Sequence, residues 1–312
     1  MLVLPDRPLE LPTRTVFPAI PGLSPALTAP ADHYVVDIAI EDPVVDVGKW
    51  TLEVTGLVDE PLSLTLDALQ RDFELVEEVS VLTCVSNPVG GPLVGSSRWT
   101  GVRLGDVLRR SQPRPTSVEV VLRCADGYDV SVPLARALES SALLAIGHEG
   151  RLLRQEHGFP CRLRVPALYG MMNAKWIEEV RLVDVPHRSY WTERGWSDVA
   201  EVRTQSRVDV PRQAAVGRRT WIAGVAWAGT SGISGVEVSV DGGANWRPAR
   251  LRRTIAAHAW TRWALEWLPE RRGIQRVACR AIAGDGTRQD ARRRPPHPAG
   301  ATGYHEVDVT VS

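Results

Sequence analysis

The chain has 312 residues, a length that suits two cores better than one. Of these, 44% are hydrophobic and 24% charged, the proportions of an ordinary globular protein. Lys+Arg and Asp+Glu both number 37, which leaves no electrostatic case for nucleic acid or an anionic membrane surface.

No stretch approaches the roughly 18 uninterrupted apolar residues of a membrane span. The opening MLVLPDRPLELPTRTVFP has no basic leader, no helix-length apolar core and an acid at Asp6, so it does not read as a signal peptide. The expectation is a soluble, cytoplasmic protein, the alternative being an extracytoplasmic domain separated from a membrane anchor. Proline spacing from Pro5 to Pro30 predicts an extended arm over residues 1–30.

Short strands and helices then mix irregularly. TLEVTG (51–56), VSVLTC (79–84), VEVVLRC (118–124), LRVPAL (163–168) and EVRLVDV (179–185) read as strands by alternation or β-branched content. Thr65 is placed to cap LTLDALQRDF, LGDVLRRS (104–111) has helical spacing, and Pro133 can open a helix through PLARALESSALLA. Strand and helix do not alternate regularly, so the expected class is α+β over residues 31–205. After the polar segment VRTQSRVDVPR (202–212), almost everything is strand and turn. Val236, Val238 and Val240 should share a face, and Asp241-Gly242-Gly243 should form a tight hairpin turn. These features predict an immunoglobulin-like β-sandwich over residues 206–312.

The four cysteines form no CxxC pair and no zinc-type spacing. Cys124 and Cys279 sit in apolar runs and read as buried strand residues. Cys84 differs, because it ends a strand before a loop of Ser, Asn, Pro and Gly, where a ligand can approach closely. A thiolate there is a soft donor for a metal, although a lone cysteine at a strand end is by itself more often a core residue. In HGFPCRLRVPALYGMMNAKW (157–176), His157, Arg162, Arg164 and Lys175 form a candidate cradle for an oxyanion or phosphate. Lys175 is one of only two lysines in the chain.

Together these segments resemble the molybdopterin-binding domain of the sulfite oxidase family, which also includes plant nitrate reductase and bacterial sulfoxide reductases. The resemblance rests on Cys-x-Ser-Asn followed by SSRWTGVRL, and on His-Gly-Phe-Pro-x-Arg followed by Asn-Ala-Lys-Trp. It continues through YWTERGW, TQSRVDVP and GISGVEVSVDGG to GATGYH, and covers residues 30–312. It implies a molybdenum–molybdopterin cofactor, one per chain, with Cys84 as the metal's thiolate ligand and catalytic centre. It also implies that Tyr34, Asp126, His157, Arg162, Asn173 and Lys175 lie at the pterin or its phosphate. The implied activity is two-electron redox, with oxygen-atom transfer on a small-molecule substrate. Electrons would pass to or from a separate haem protein or quinol-linked partner, and the C-terminal sandwich would be a dimerisation domain.

The sequence departs from the sulfite-oxidising pattern at several places. Sulfite-oxidising members carry an Arg and a His in the segment matching HYVVDIAIEDP, where this chain has Val35, Val36 and Ile38. After Cys84 the chain reads Ser86-Asn87-Pro88-Val89 instead of the frequent arginine, and Trp196 stands at the active-site tyrosine. A dianion needs compensating charge in a partly desolvated pocket, so the expected substrate is neutral or weakly charged. Sulfite oxidation proper, and a non-catalytic protein with a degenerate pocket, are the alternatives. No glycine fingerprint for a dinucleotide occurs, and HPAG (297–300) reads as a sandwich loop.

Overall fold

Residues 17–312 are described in a computed structural model of the protein. Most of the arm predicted for residues 1–30, with the question of a leader, lies outside the described residues. The apolar runs of the first two-thirds become β1 (Leu52–Gly56), β2 (Leu62–Leu64), β3 (Leu75–Thr83), β4 (Val94–Arg103) and β5 (Glu119–Cys124). They continue as β6 (Asp129–Pro133), β7 (Leu143–His148), β8 (Arg151–Leu152), β9 (Arg162–Arg164) and β10 (Ile177–Val183). The helices are short: α1 (Leu66–Asp72), α2 (Leu104–Arg110), α3 (Leu134–Ala137) and α4 (Tyr190–Glu193). Among the described residues, none is long and apolar enough to cross a membrane.

Local chemistry explains several of these elements. Thr65 caps α1 as expected, its Oγ1 accepting the Ala68 N–H at 3.1 Å. The helix predicted from Pro133 stops at Ala137, and Leu143–His148 becomes β7 instead. Every residue of β7 is buried, and its pairing with β4 on one side and β9 on the other overrides the helical spacing. The strand predicted at 163–168 ends at Arg164, two residues before Pro166.

Contacts divide the described chain into two units. The first comprises Ala29–Glu78 and Ser97–Ala200; the second comprises 17–28, Val79–Ser96 and Glu201–Ser312. In the first, a mixed sheet has the order β2-β1-β10-β5-β6, with β1 parallel to β10 and the remaining pairs antiparallel. The β3–β4 hairpin begins in the first unit, while its tip, Val79–Ser96, is counted with the second.

The second unit contains β11 (Gln205–Val210), β12 (Gln213–Ala214), β13 (Thr220–Trp227), β14 (Ile233–Ser239) and β15 (Arg247–Pro248). It also contains β16 (Arg250–Leu251), β17 (Thr261–Trp267), β18 (Gly273–Ala283) and β19 (His305–Val311). Two sheets, β11-β13-β17-β16 and β12-β19-β18-β14-β15, enclose one core. Val208, Ile222, Trp263 and Trp267 from one sheet meet Val236, Val238, Val277 and Val309 from the other. The expected turn at Asp241 is not a tight hairpin, because β14 ends at Ser239 and β15 begins at Arg247. The Asp241 carboxylate accepts both the backbone N–H and the side-chain amide of Asn245, which holds a wider loop.

Candidate cofactor site

The residues expected to form an anion cradle lie together in the first unit. Residues 162 and 164 point to the same side of β9, and both arginines are buried there. Arg162 donates to the carbonyls of His157 at 3.0 Å and Asn173 at 3.1 Å. Arg164 donates to Asn173 Oδ1 at 2.6 Å, and that oxygen also accepts the Val165 N–H at 2.7 Å. Asn173 Nδ2 donates to the carbonyls of Leu168 and Tyr169 at 3.2 and 2.9 Å. The hydrogen-bonding positions of this amide are therefore filled from within the protein, and its role is to fix Arg164 and the turn around it. Gly158 explains the close approach of the preceding turn. With φ at +102°, a Cβ there would lie 3.0 Å from that of Lys175 and 3.1 Å from that of Arg162.

His157 brings a second set of rings into the cluster. Its Nε2 lies 2.8 Å from the Pro30 carbonyl. His33 and His148 join it, with ring centroids 5.2–5.8 Å apart. Trp99 stacks on His148 at 4.2 Å and lies beneath both guanidiniums, at 5.0 Å from Arg162 and 4.8 Å from Arg164. Burial holds His33 at about 3 and His148 at about 2, with the neighbouring arginines and histidines adding to the effect. All of these buried groups either carry positive charge or resist acquiring it. Burial also lowers Arg162 to about 10 and Arg164 to about 9.

Lys175 is compensated differently. Its Nζ contacts Asp37 Oδ2 at 2.8 Å, donates to the Glu156 carbonyl at 2.9 Å and lies 4.1 Å from the Trp176 ring centroid. Burial lowers its pKa while Asp37 opposes that effect. Asp126 is half-buried, accepts the Tyr128 N–H at 3.0 Å and has its pKa raised mainly by burial. Tyr34 is partly buried, its ring 5.1 Å from His33.

Cys84 belongs to the second unit, just past the end of β3. It is buried, with its Sγ 2.9 Å from Ser86 Oγ. The Cys84 N–H donates to the Leu93 carbonyl, and Asn87 Oδ1 accepts the Leu93 N–H at 3.0 Å, so Asn87 closes the loop behind the thiol. Among the described residues, no three His, Cys, Asp or Glu are grouped to hold a metal. An open groove of about 310 Å³ on the sandwich, lined in part by Arg219, Arg250 and Glu266, includes no residue singled out from the sequence.

Sequence reasoning did not single out His33, His148 or Asp37. Asp37 had a signal, since a rare buried lysine needs a counter-charge, and the acid lies between Val36 and Ile38. His148 lies three residues beyond PLARALESSALLA (133–145), the run that reads as a helix, and no motif marks it. Arg164 was noted only as a neighbour, although its spacing to Arg162 gives them one face.

The cluster contains donors and acceptors without partners. Arg162 Nε, His33 Nε2 and both ring nitrogens of His148 are buried with no hydrogen bond, a combination that native interiors rarely leave unmet. A ligand offering a negative charge and a polar heterocyclic edge would satisfy them. Residues 39–191 match the family described as oxidoreductase molybdopterin binding domain, and residues 196–290 match the Mo-co oxidoreductase dimerisation domain. The uncharacterized oxidoreductase YuiH of Bacillus subtilis is 32% identical over 155 residues, covering 48% of this chain and 74% of that protein. Human mitochondrial sulfite oxidase is 29% identical over 291 residues, covering 77% of this chain and 53% of that enzyme.

The chain belongs to the sulfite oxidase family of molybdopterin-binding oxidoreductases. It spans about half the length of the curated sulfite oxidases it matches. Sulfane dehydrogenase SoxCD from Paracoccus pantotrophus shares the fold, with a TM-score of 0.82 at 21% identity over 97% of this chain and 90% of that one. The molybdenum cofactor of the sulfite oxidase family is the group this chain binds, and the unpartnered donors around Arg162 fit it.

Proposed function

We propose that this protein catalyses two-electron oxygen-atom transfer to or from a neutral or weakly charged small molecule. The observation that carries this reading is the buried cationic cluster around Arg162, whose unpartnered atoms suit an anionic cofactor. When bound, the cofactor supplies a metal that changes oxidation state by two electrons and gives or takes an oxygen atom. Arg162 offers a fixed planar fork for a phosphate, and Lys175, held by Asp37, offers a point charge. His157, Tyr34 and Asp126 border the pterin, Asn173 orients Arg164, and Cys84 is the soft thiolate that fixes the metal. Electrons pass singly to or from a separate haem protein or quinol-linked partner.

The substrate preference rests on Val35 and Val36, directly after Tyr34 and 44% and 47% exposed. Apolar side chains facing solvent there do nothing to hold a dianion. Within this reading, residues 31–205 form an α+β catalytic domain behind an arm of residues 1–30. Residues 206–312 form an immunoglobulin-like sandwich that supports a homodimer.

The test uses molybdenum-loaded protein made in a host that synthesises the cofactor. A neutral sulfoxide or N-oxide should be reduced with a higher kcat/KM than sulfite is oxidised. Cys84→Ser should abolish turnover with little change in folding, because a hydroxyl is a poor substitute for a soft thiolate. Efficient sulfite turnover at low concentration would overturn the substrate assignment, and full activity in Cys84→Ser would overturn the ligand assignment.

A further inference from the structure

Several exposed arginines of this chain sit beside a carboxylate, as Arg71 does with Asp72, Arg114 with Asp59 and Arg276 with Asp308. The loop between β18 and β19 places three arginines in a row. Arg292, Arg293 and Arg294 are consecutive and exposed, and no ion pair is formed by any of them among the described residues. The acid within this loop, Asp290, accepts the Arg292 N–H at 2.8 Å. Three like charges on neighbouring residues repel one another.

The loop that presents them is tied down at its base. Gln289 is buried; its Oε1 accepts from Ser206 Oγ at 2.8 Å and the Ala281 N–H at 3.0 Å, and its Nε2 donates to the Gly303 carbonyl at 2.7 Å. Arg294 and Thr302 exchange backbone hydrogen bonds at 3.1 and 3.3 Å, and Thr302 Oγ1 donates to the Arg292 carbonyl. Pro295 and Pro296 follow, with φ fixed by their rings. The guanidiniums therefore project from a backbone that is already ordered, which lowers the entropic cost of binding.

Contacts within the second unit connect this loop to the loop after Cys84. A Cβ on Gly303 would lie 3.2 Å from the Arg293 Cα. Two residues on, the His305 ring lies against Gly90, where a Cβ would fall 2.1 Å from its Cδ2. Arg207 donates to the Gly91 carbonyl at 3.2 Å. Gly90 and Gly91 belong to the loop that Cys84 and Asn87 close.

We propose that Arg292, Arg293 and Arg294 form the docking surface for an acidic face of the electron-carrier protein that serves the Cys84 metal centre. This rests on the redox reading above. A negative patch on the carrier would relieve the repulsion among the arginines and steer encounter toward the loop next to the Cys84 loop. Nucleic acid is a poorer fit, since one short loop on a chain of zero net charge offers few phosphate contacts.

Two measurements test the proposal, using wild type, a loop variant (Arg292→Glu, Arg293→Glu and Arg294→Glu combined) and a control (Arg271→Glu with Arg272→Glu). The first is fluorescence anisotropy of a labelled 20-residue polyglutamate at low salt. Wild type and the control should bind it, and the loop variant should bind at least tenfold more weakly. The second is stopped-flow reoxidation of dithionite-reduced, molybdenum-loaded protein by ferricyanide or by hexaammineruthenium(III). The ratio of anionic to cationic rate constants should fall severalfold in the loop variant alone. Equal polyglutamate binding by wild type and loop variant overturns the docking surface, as does a ratio that does not move while both acceptors react. Molybdenum-loaded wild type that neither acceptor reoxidises overturns the redox reading itself, and the docking assignment with it.

Discussion

Arg162 and Lys175 have the same formal charge but different environments, and their variants should differ accordingly. The Arg162 guanidinium is buried and hydrogen-bonded to two backbone carbonyls, whereas Lys175 is paired with Asp37. Arg162→Ala should strip both carbonyls of that donor, at about 1–3 kcal/mol for each buried group left unsatisfied. It should also remove the fork that best fits a phosphate. We expect pterin released per mole of purified protein to fall further in Arg162→Ala than in Lys175→Ala. Equal retention in the double variant would place the cradle elsewhere. These two residues were legible in the sequence because basic groups at fixed spacing beside a glycine-containing turn suggest an anion site. His33 and His148 were not, because they meet His157 only through folding, across more than a hundred positions in the case of His33. Such a contact leaves no local pattern to read.

Three separate elements deliver the histidines: the coil before β1, the end of β7 and the turn at Gln155–His157. Their neutral burial ties the stability of these elements to pH. His33 and His148 have folded values of about 3 and about 2, below the ordinary value of 6.5. Between those limits the unfolded chain binds protons that the folded chain does not, so stability falls as pH falls. Above 6.5 the contribution is fully present, and it is lost as the pH drops toward the folded values. Each histidine adds a slope of at most about 1.4 kcal/mol per pH unit. In cofactor-free protein, the urea midpoint should drop between pH 7 and pH 4. His33→Gln with His148→Gln should make that dependence shallower, while His305, held at about 4 in the sandwich, leaves a residual slope. An identical profile in the double variant would show that other groups control acid sensitivity. The same elements mark where sequence reasoning failed. Alternation identified β1, β5 and β10, which lie together in one sheet, but β7 has no exposed residue to alternate with. A short strand buried on both faces has the same apolar run as a buried helix, and only its pairing with β4 and β9 decides between them.

For the whole molecule, the mixed spacing of Trp260, Trp263 and Trp267, with Trp221 and Trp227, makes some of them candidates for the boundary with the first domain or for a subunit contact. The alternative is that all fill the sandwich core and that junction. The structure packs most of them inside the second unit. Trp263 and Trp267 fill the core between the two sheets, while Trp227 and Trp260 pack with Val81 and Val94 of the β3–β4 hairpin. Trp221 alone among these five is half-buried, with the Arg250 guanidinium 5.9 Å from its ring. A homodimer would therefore draw on other surface. The groove beside Trp221 presents both signs, with Arg219, Arg247 and Arg250 facing Glu266 and Glu270. Mixed charge of this kind can match itself across a two-fold axis, where each basic group of one copy meets an acidic group of the other. Leu268 lines the same groove and is 39% exposed, offering some apolar area. Polar rim contacts weaken as salt rises, so a dimer built here should be moderate in affinity and sensitive to ionic strength. We expect light scattering at micromolar concentration in low salt to give twice the monomer mass. Raising the salt, or substituting Arg250→Glu, should shift the population toward monomer. A single monomer mass that does not change with concentration or salt would reject the dimer, and a dimer indifferent to Arg250→Glu would move the contact to another face.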